Sequence, residues 1–231
     1  MKLLKTLVVY FLIGSLLLSC DKIKSESEAS EINKEAVIKD TVQDIPNQKL
    51  TSDQQIASAL FAAPQEVRNG ATVYGYDDEN NFITLREGTN EMICIADNPE
   101  KDGFEVVSYH TDLEPYMARG RVLKTEGKSF TERRDIREEE AKEGLLKMPK
   151  KPATLHILYG EKGWFDIDST KIRNAKYRYV VYIPFATQAS TGLSLKPNAP
   201  GHPWLMFPGK ANAHIMITPQ TNENKKNYIK I

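Results

Sequence analysis

Runs of β-branched and aromatic residues fall into two groups along this chain, with two helical stretches between them. The first group covers residues 72–76, 82–86, 91–96 and 104–110; the second covers 153–159, 177–183 and 214–218. Strands, then helices, then strands is not the regular alternation of a parallel βαβ sheet. It predicts an α+β fold with a largely antiparallel sheet, two or three helices and a single domain.

Local signals fill in this outline. The turn residues Asp77-Asp78-Glu79-Asn80-Asn81 make a hairpin of the first two strands, and all four strands of the first group read as one meander. A first helix over 51–63 opens on the capping pattern Thr51-x-x-Gln54, carries Ile56, Ala59, Leu60 and Ala63 at helical spacing, and stops at Pro64. A second opens on Thr111-x-x-Glu114, with Pro115 in its first turn and Leu113, Met117, Gly120 and Leu123 on one face. A third, over 131–146, is dense in charge, with Glu138 and Lys142 at a favourable i,i+4 spacing. The connection from Pro184 to Ala213 is long and rich in Pro and Gly, yet it carries Phe185, Leu193, Leu195, Trp204, Leu205, Met206 and Phe207. So many large apolar groups predict a loop packed on the body, or the wall of a ligand pocket.

The ends of the chain are different in kind. Lys2 and Lys5 precede an apolar run, Leu7 to Leu18, that is too short to span a bilayer comfortably. Charged start, short apolar run and small-residue break have the form of a secretory signal. The break, Leu17-Leu18-Ser19-Cys20, resembles the lipobox of bacterial lipoproteins. That resemblance covers 20 residues and implies cleavage before Cys20, acylation of its thiol and new amino terminus, and attachment to a membrane of the cell envelope, on a periplasmic or surface face. Residues 1–19 are then the signal. Residues 20–50 form a lipid-anchored tether, because seven acids, five lysines and no aromatic residue in 21–50 leave little to bury. The globular body is 51–219, and 220–231 reads as a loose, Asn- and Lys-rich tail.

Composition limits the function. The 31 basic and 31 acidic residues cancel, and the body reads as mixed and poor in charge patches, which speaks against a nucleic-acid partner. An apolar fraction of 40% is enough for a core. Cys94, the one cysteine of the body, sits in the apolar run Met92-Ile93-Cys94-Ile95-Ala96 and reads as a buried structural thiol.

No Gly-x-Ser-x-Gly elbow, Ser-x-x-Lys, His-Glu-x-x-His or phosphate loop is present in the sequence. The expected role is a ligand-binding or scaffolding domain with no cofactor. Its expected pocket brings together His110, His202, Trp204 and His214. Two alternatives remain open at this point. One is an envelope enzyme using a His-centred site, with His110 and Glu114 as candidate catalytic groups. The other is a copper-binding protein, with His202, Met206, His214 and Met216 offering imidazole and thioether ligands. The phrases Tyr109-His110-x-x-Leu113-Glu114-Pro115 and Ala213-His214-Ile215-Met216 are similar to exported bacterial proteins that carry no assigned activity, and this resemblance implies none.

Overall fold

The computed structural model describes residues 49–219, and three apolar clusters form the core among them. The expected signal sequence, the candidate lipidation site Cys20, the expected tether up to residue 48 and the expected tail from 220 lie outside the described residues.

In chain order the elements are α1 (Ser52–Ala59), β1 (Thr72–Tyr76), β2 (Phe82–Arg86), β3 (Met92–Ile95), β4 (Phe104–His110), α2 (Glu114–Thr125), α3 (Phe130–Lys142), β5 (Ala153–Gly160), β6 (Trp164–Asp166), β7 (Lys171–Arg173), β8 (Lys176–Tyr182), α4 (Gln188–Thr191), β9 (Trp204–Met206) and β10 (His214–Ile217). Eight strands form one sheet in the order β2-β1-β3-β4-β5-β8-β10-β9, and β6 and β7 make a separate hairpin. This is a mixed α+β domain with a largely antiparallel, unclosed sheet.

The first four strands are not a simple meander. β3 lies beside β1 and parallel to it, on the side away from β2. The chain between β2 and β3 passes close under the start of β1, where the Thr89 and Asn90 N–H groups both donate to the Gly70 carbonyl at 2.7 and 3.0 Å. Gly88 permits that crossing, since a Cβ there would overlap the Thr72 backbone nitrogen.

Alternation along each strand sends residues to two covered faces. On one face Ile93, Tyr109, Ala153, Val180 and Tyr182 pack with Leu113, Tyr116 and Leu146, the last two from α2 and the segment after α3. On the other, Val73, Met92 and Cys94 pack under Ala59 of α1, while Phe104, Val106 and Leu158 pack under Ala62 and the β6–β7 hairpin residues Phe165 and Ile172. Full burial of each such large apolar side chain contributes about 1.5–3 kcal/mol.

Local chemistry fixes the helices. α1 has the capping box of Thr51 and Gln54, and Gln55 anchors it to β1 by accepting the Tyr76 N–H and donating to the Tyr76 carbonyl, both at 2.9 Å. α3 has a capping box of Ser129 and Glu132. Gly120 lets α2 approach α3, because a Cβ there would meet the Arg137 guanidinium. The expected capping box at α2 does not form. A 3-10 turn over Thr111–Leu113 precedes the helix, and His110 caps it by accepting the Asp112 N–H on Nδ1 at 3.2 Å. Glu114 instead accepts from the Tyr109 hydroxyl at 2.6 Å and pairs with Arg121 at 2.5 Å.

Candidate functional site

The histidines expected to share a pocket are distributed over both faces of the sheet. β9 and β10 pair so that Met206 stands opposite His214 and Trp204 opposite Met216, which gathers these four on one face. Ser108, two residues before His110, shares a row with His156, Tyr179 and Ile217. His214 is three residues from Ile217, so His110 and His214 point to opposite faces. They are also separated by three strand spacings, ~14 Å. His202 is exposed ahead of β9. The expected cleft shared by His110, Trp204 and His214 is therefore corrected. Alternation puts His110 on the other face of the sheet from Trp204 and His214.

Each histidine has a structural role or none. His214 is 6% exposed, with ring neighbours Tyr182 at 5.1 Å and Phe207 at 5.8 Å, and its Nδ1 is 2.7 Å from the Asn212 carbonyl. Burial lowers its pKa, against a smaller opposing pull from that carbonyl, so the ring is a neutral core group. His156 is lowered by burial as well. His110 is occupied as a cap, and Glu114 is held by Tyr109 and Arg121, so the expected His110–Glu114 pair is not formed. Of the copper candidates, Met206 and His214 are cross-strand neighbours and Met216 lies on the same face. No group of three or more His, Cys, Asp or Glu among the described residues is placed to hold a metal ion.

A cleft lies elsewhere, at the far end of β4 and β5. Antiparallel pairing of β4 and β5 brings Phe104 opposite Gly160. This sets the β3–β4 connection beside the turn from β5 to β6. Together with Lys49 and Leu50 they enclose an open cleft of about 570 Å³. Asp97, Asn98 and Asp102 line one wall, and Glu161 and Trp164 line the other.

Asp97 is the chemically distinctive group in this cleft. Burial pushes its carboxyl up to about 6, although the Glu105 N–H, donated at 2.8 Å, and the Lys101 ammonium pull it back. The two lysines at the rim are already engaged: Lys101 with Glu105 at 2.7 Å and Lys49 with Asp78 at 3.3 Å. The wall carboxylates Asp97, Asp102 and Glu161 thus have no ion-pair partner among the described residues. A desolvated acid lining the same cleft as an indole, with Asp102 and Glu161, is equipped to accept hydrogen bonds from a cation or a polar hydrogen-bond donor.

Sequence reasoning passed over this site because its parts look like ordinary turns. Asn98-Pro99 and Gly103 punctuate one connection and Gly163 the other. Only strand register makes them neighbours.

Comparison with protein-family models, with curated proteins and with solved structures finds no match to this chain. Among the described residues, no helix is long and apolar enough to cross a membrane.

Proposed function

We propose that this chain is a lipid-anchored cell-envelope protein whose body binds a small cation-bearing polar ligand in the Asp97–Trp164 cleft. The observation that carries the ligand reading is the half-buried Asp97 carboxyl, raised by burial and without an ion-pair partner, facing the same cleft as Trp164. A ligand ammonium would repay the cost of desolvating that carboxylate, and the indole offers its face to the ligand's apolar side. The anchoring reading is supported by the lipobox-like Leu17-Leu18-Ser19-Cys20.

Each half has its own experiment. Metabolic labelling with a fatty acid is expected to mark the wild-type chain and to be lost in Cys20→Ala; label persisting on that variant would refute the anchor. For the cleft, glucosamine is the probe, with N-acetylglucosamine as its uncharged control. Calorimetry is expected to show binding of glucosamine alone, lost in Asp97→Asn. Equal binding of both sugars, or none of either, would remove the cation-binding reading and leave scaffolding as the role of the body.

A further inference from the structure

The charges of the body are segregated rather than mixed. Residues 49–143 hold 12 basic and 20 acidic side chains, whereas residues 144–219 hold 10 basic and 3 acidic. The strand order converts this into a spatial division, because β1–β4 form one half of the sheet and β5, β8, β9 and β10 the other. The three acids of the basic stretch, Glu161, Asp166 and Asp168, all follow the C-terminal end of β5. The opposite end, where β5 begins and β8 finishes, has none of them.

At that end a cavity of about 400 Å³ is lined by Pro149, Lys150, Lys151, Ile183 and Phe185, among others. Lys147, Lys150 and Lys151 are exposed and have no carboxylate partner among the described residues. In the preceding helix α3, Glu138 and Glu139 are paired with Lys142, Glu138 also with Lys210, and Glu140 with Arg119, while Glu143 just after it is exposed. Two apolar side chains are exposed here: Phe185, which lines the cavity with Lys150 and Lys151, at 45%, and Leu145, two residues before Lys147 in the chain, at 75%. Phe185 also has a φ of 63°, a region that bulky residues avoid. Its N–H donates to the Lys210 carbonyl at 2.8 Å, and the Gly209 N–H donates to the Ala186 carbonyl at 2.7 Å. A strained backbone is thus held in place with an aromatic ring at the surface, where core packing gains little from it.

We infer that this end of the sheet, built from Leu145, Lys147, Lys150, Lys151 and Phe185, is a membrane-contact face for an anionic phospholipid bilayer. Isolated apolar tips among unpaired lysines suit the boundary of headgroups and acyl chains, where the tips insert and the ammonium groups meet phosphates. Two separated tips do not supply the continuous dry core of a stable protein interface. The inference extends the lipid-anchor reading and rests on it for biological sense. Were Cys20 acylated, the body would already be confined to the membrane surface, so even a weakly attractive face would meet the bilayer often. The Asp97 cleft lies at the other end of the eight-residue β5, ~25 Å away, and would face outward.

The test uses the chain from residue 21, which keeps every described residue and lacks the candidate acylation site Cys20. It is sedimented with vesicles of phosphatidylcholine alone and with vesicles also containing phosphatidylglycerol, in dilute buffer and in high salt. Binding is expected only to the phosphatidylglycerol vesicles and is expected to be released by salt. The double variant Lys150→Glu/Lys151→Glu should bind at least about tenfold more weakly, and Leu145→Ser should also bind more weakly. Asp97→Asn should bind like wild type, and far-ultraviolet circular dichroism confirms that each variant is folded. No binding by the wild-type chain, equal binding by the charge-reversed variant, or full displacement by inorganic phosphate would each overturn the membrane face. Failure of the anchor reading is seen separately, as a Cys20 that takes no fatty acid, and leaves the vesicle result standing.

Discussion

Glu138 of α3 accepts the backbone N–H of Ala211 at 2.7 Å, a bond between residues 73 positions apart that ties the helix to the turn before β10. Both ends are buried, with Ala211 fully inaccessible and Glu138 at 8% exposure. Lys142 at 3.5 Å and Lys210 at 4.0 Å balance the carboxylate. Replacing Glu138 with Ala strands a buried N–H that water does not reach, at a cost of about 1–3 kcal/mol. Glu138→Gln keeps an acceptor and should lose less. Urea denaturation is the check: the midpoint should fall most for Ala and less for Gln, with an unchanged slope. An Ala variant as stable as wild type would show that the bond contributes nothing.

Much of the architecture follows from what is local. Strand groups were legible because β-branched and aromatic residues alternate, and the Thr51–Gln54 capping box because its two residues are three apart. Pairing that depends on chain crossing was not legible. The place of β3 beside β1 follows from the tight passage at Gly88, which reads in sequence as one more turn glycine. β6, β7 and β9, at three residues each, are too short to show a period. The site suffered more than the fold. Whether His110 and His214 face each other depends on register accumulated over three strand pairings, and a one-residue change of phase moves a side chain to the other face. Glu114 stands four residues from His110, which suggested a pair, but Arg121 one helical stretch later claimed its carboxylate. Asp97 became distinctive only through its burial in the folded chain.

Burial raises the Asp97 carboxyl from 3.8 to about 6, and the sign of its effect on stability is opposite to that of an ion-paired acid. Between those two values the folded chain holds a proton that the unfolded chain has lost, so this group favours folding most at low pH. That contribution declines as the pH rises from about 4 through 6. The full shift corresponds to about 3 kcal/mol, reduced here to about 1–2 kcal/mol because the cleft is open to water. Asp97→Asn retains an acceptor for the Glu105 N–H and removes the charge. It should stabilise the protein by about 1–2 kcal/mol at pH 8 and leave it nearly unchanged at pH 4. Denaturation curves at the two pH values decide this, and an Asn variant that is less stable at pH 8 would contradict it.

Cys94 and Ser108 are cross-strand partners on β3 and β4, both fully buried, and the Ser108 hydroxyl has no hydrogen-bond partner among the described residues. Burial pushes the Cys94 thiol up to about 12, so almost no thiolate is present at pH 8 and reagents reach it only when the sheet opens. In the chain from residue 21, Cys94 is the only cysteine. It should resist a thiol-reactive dye in the native state and react fully on denaturation. Ser108→Ala removes an unsatisfied buried hydroxyl, which should be neutral to stabilising by up to about 1 kcal/mol. The same substitution should therefore leave dye labelling of Cys94 unchanged or slow it by up to about fivefold, since labelling tracks the population of the open state. Faster labelling in Ser108→Ala would mean that the hydroxyl holds the two strands together through a partner, and rapid labelling of the wild-type chain would mean that β3 is open to solvent.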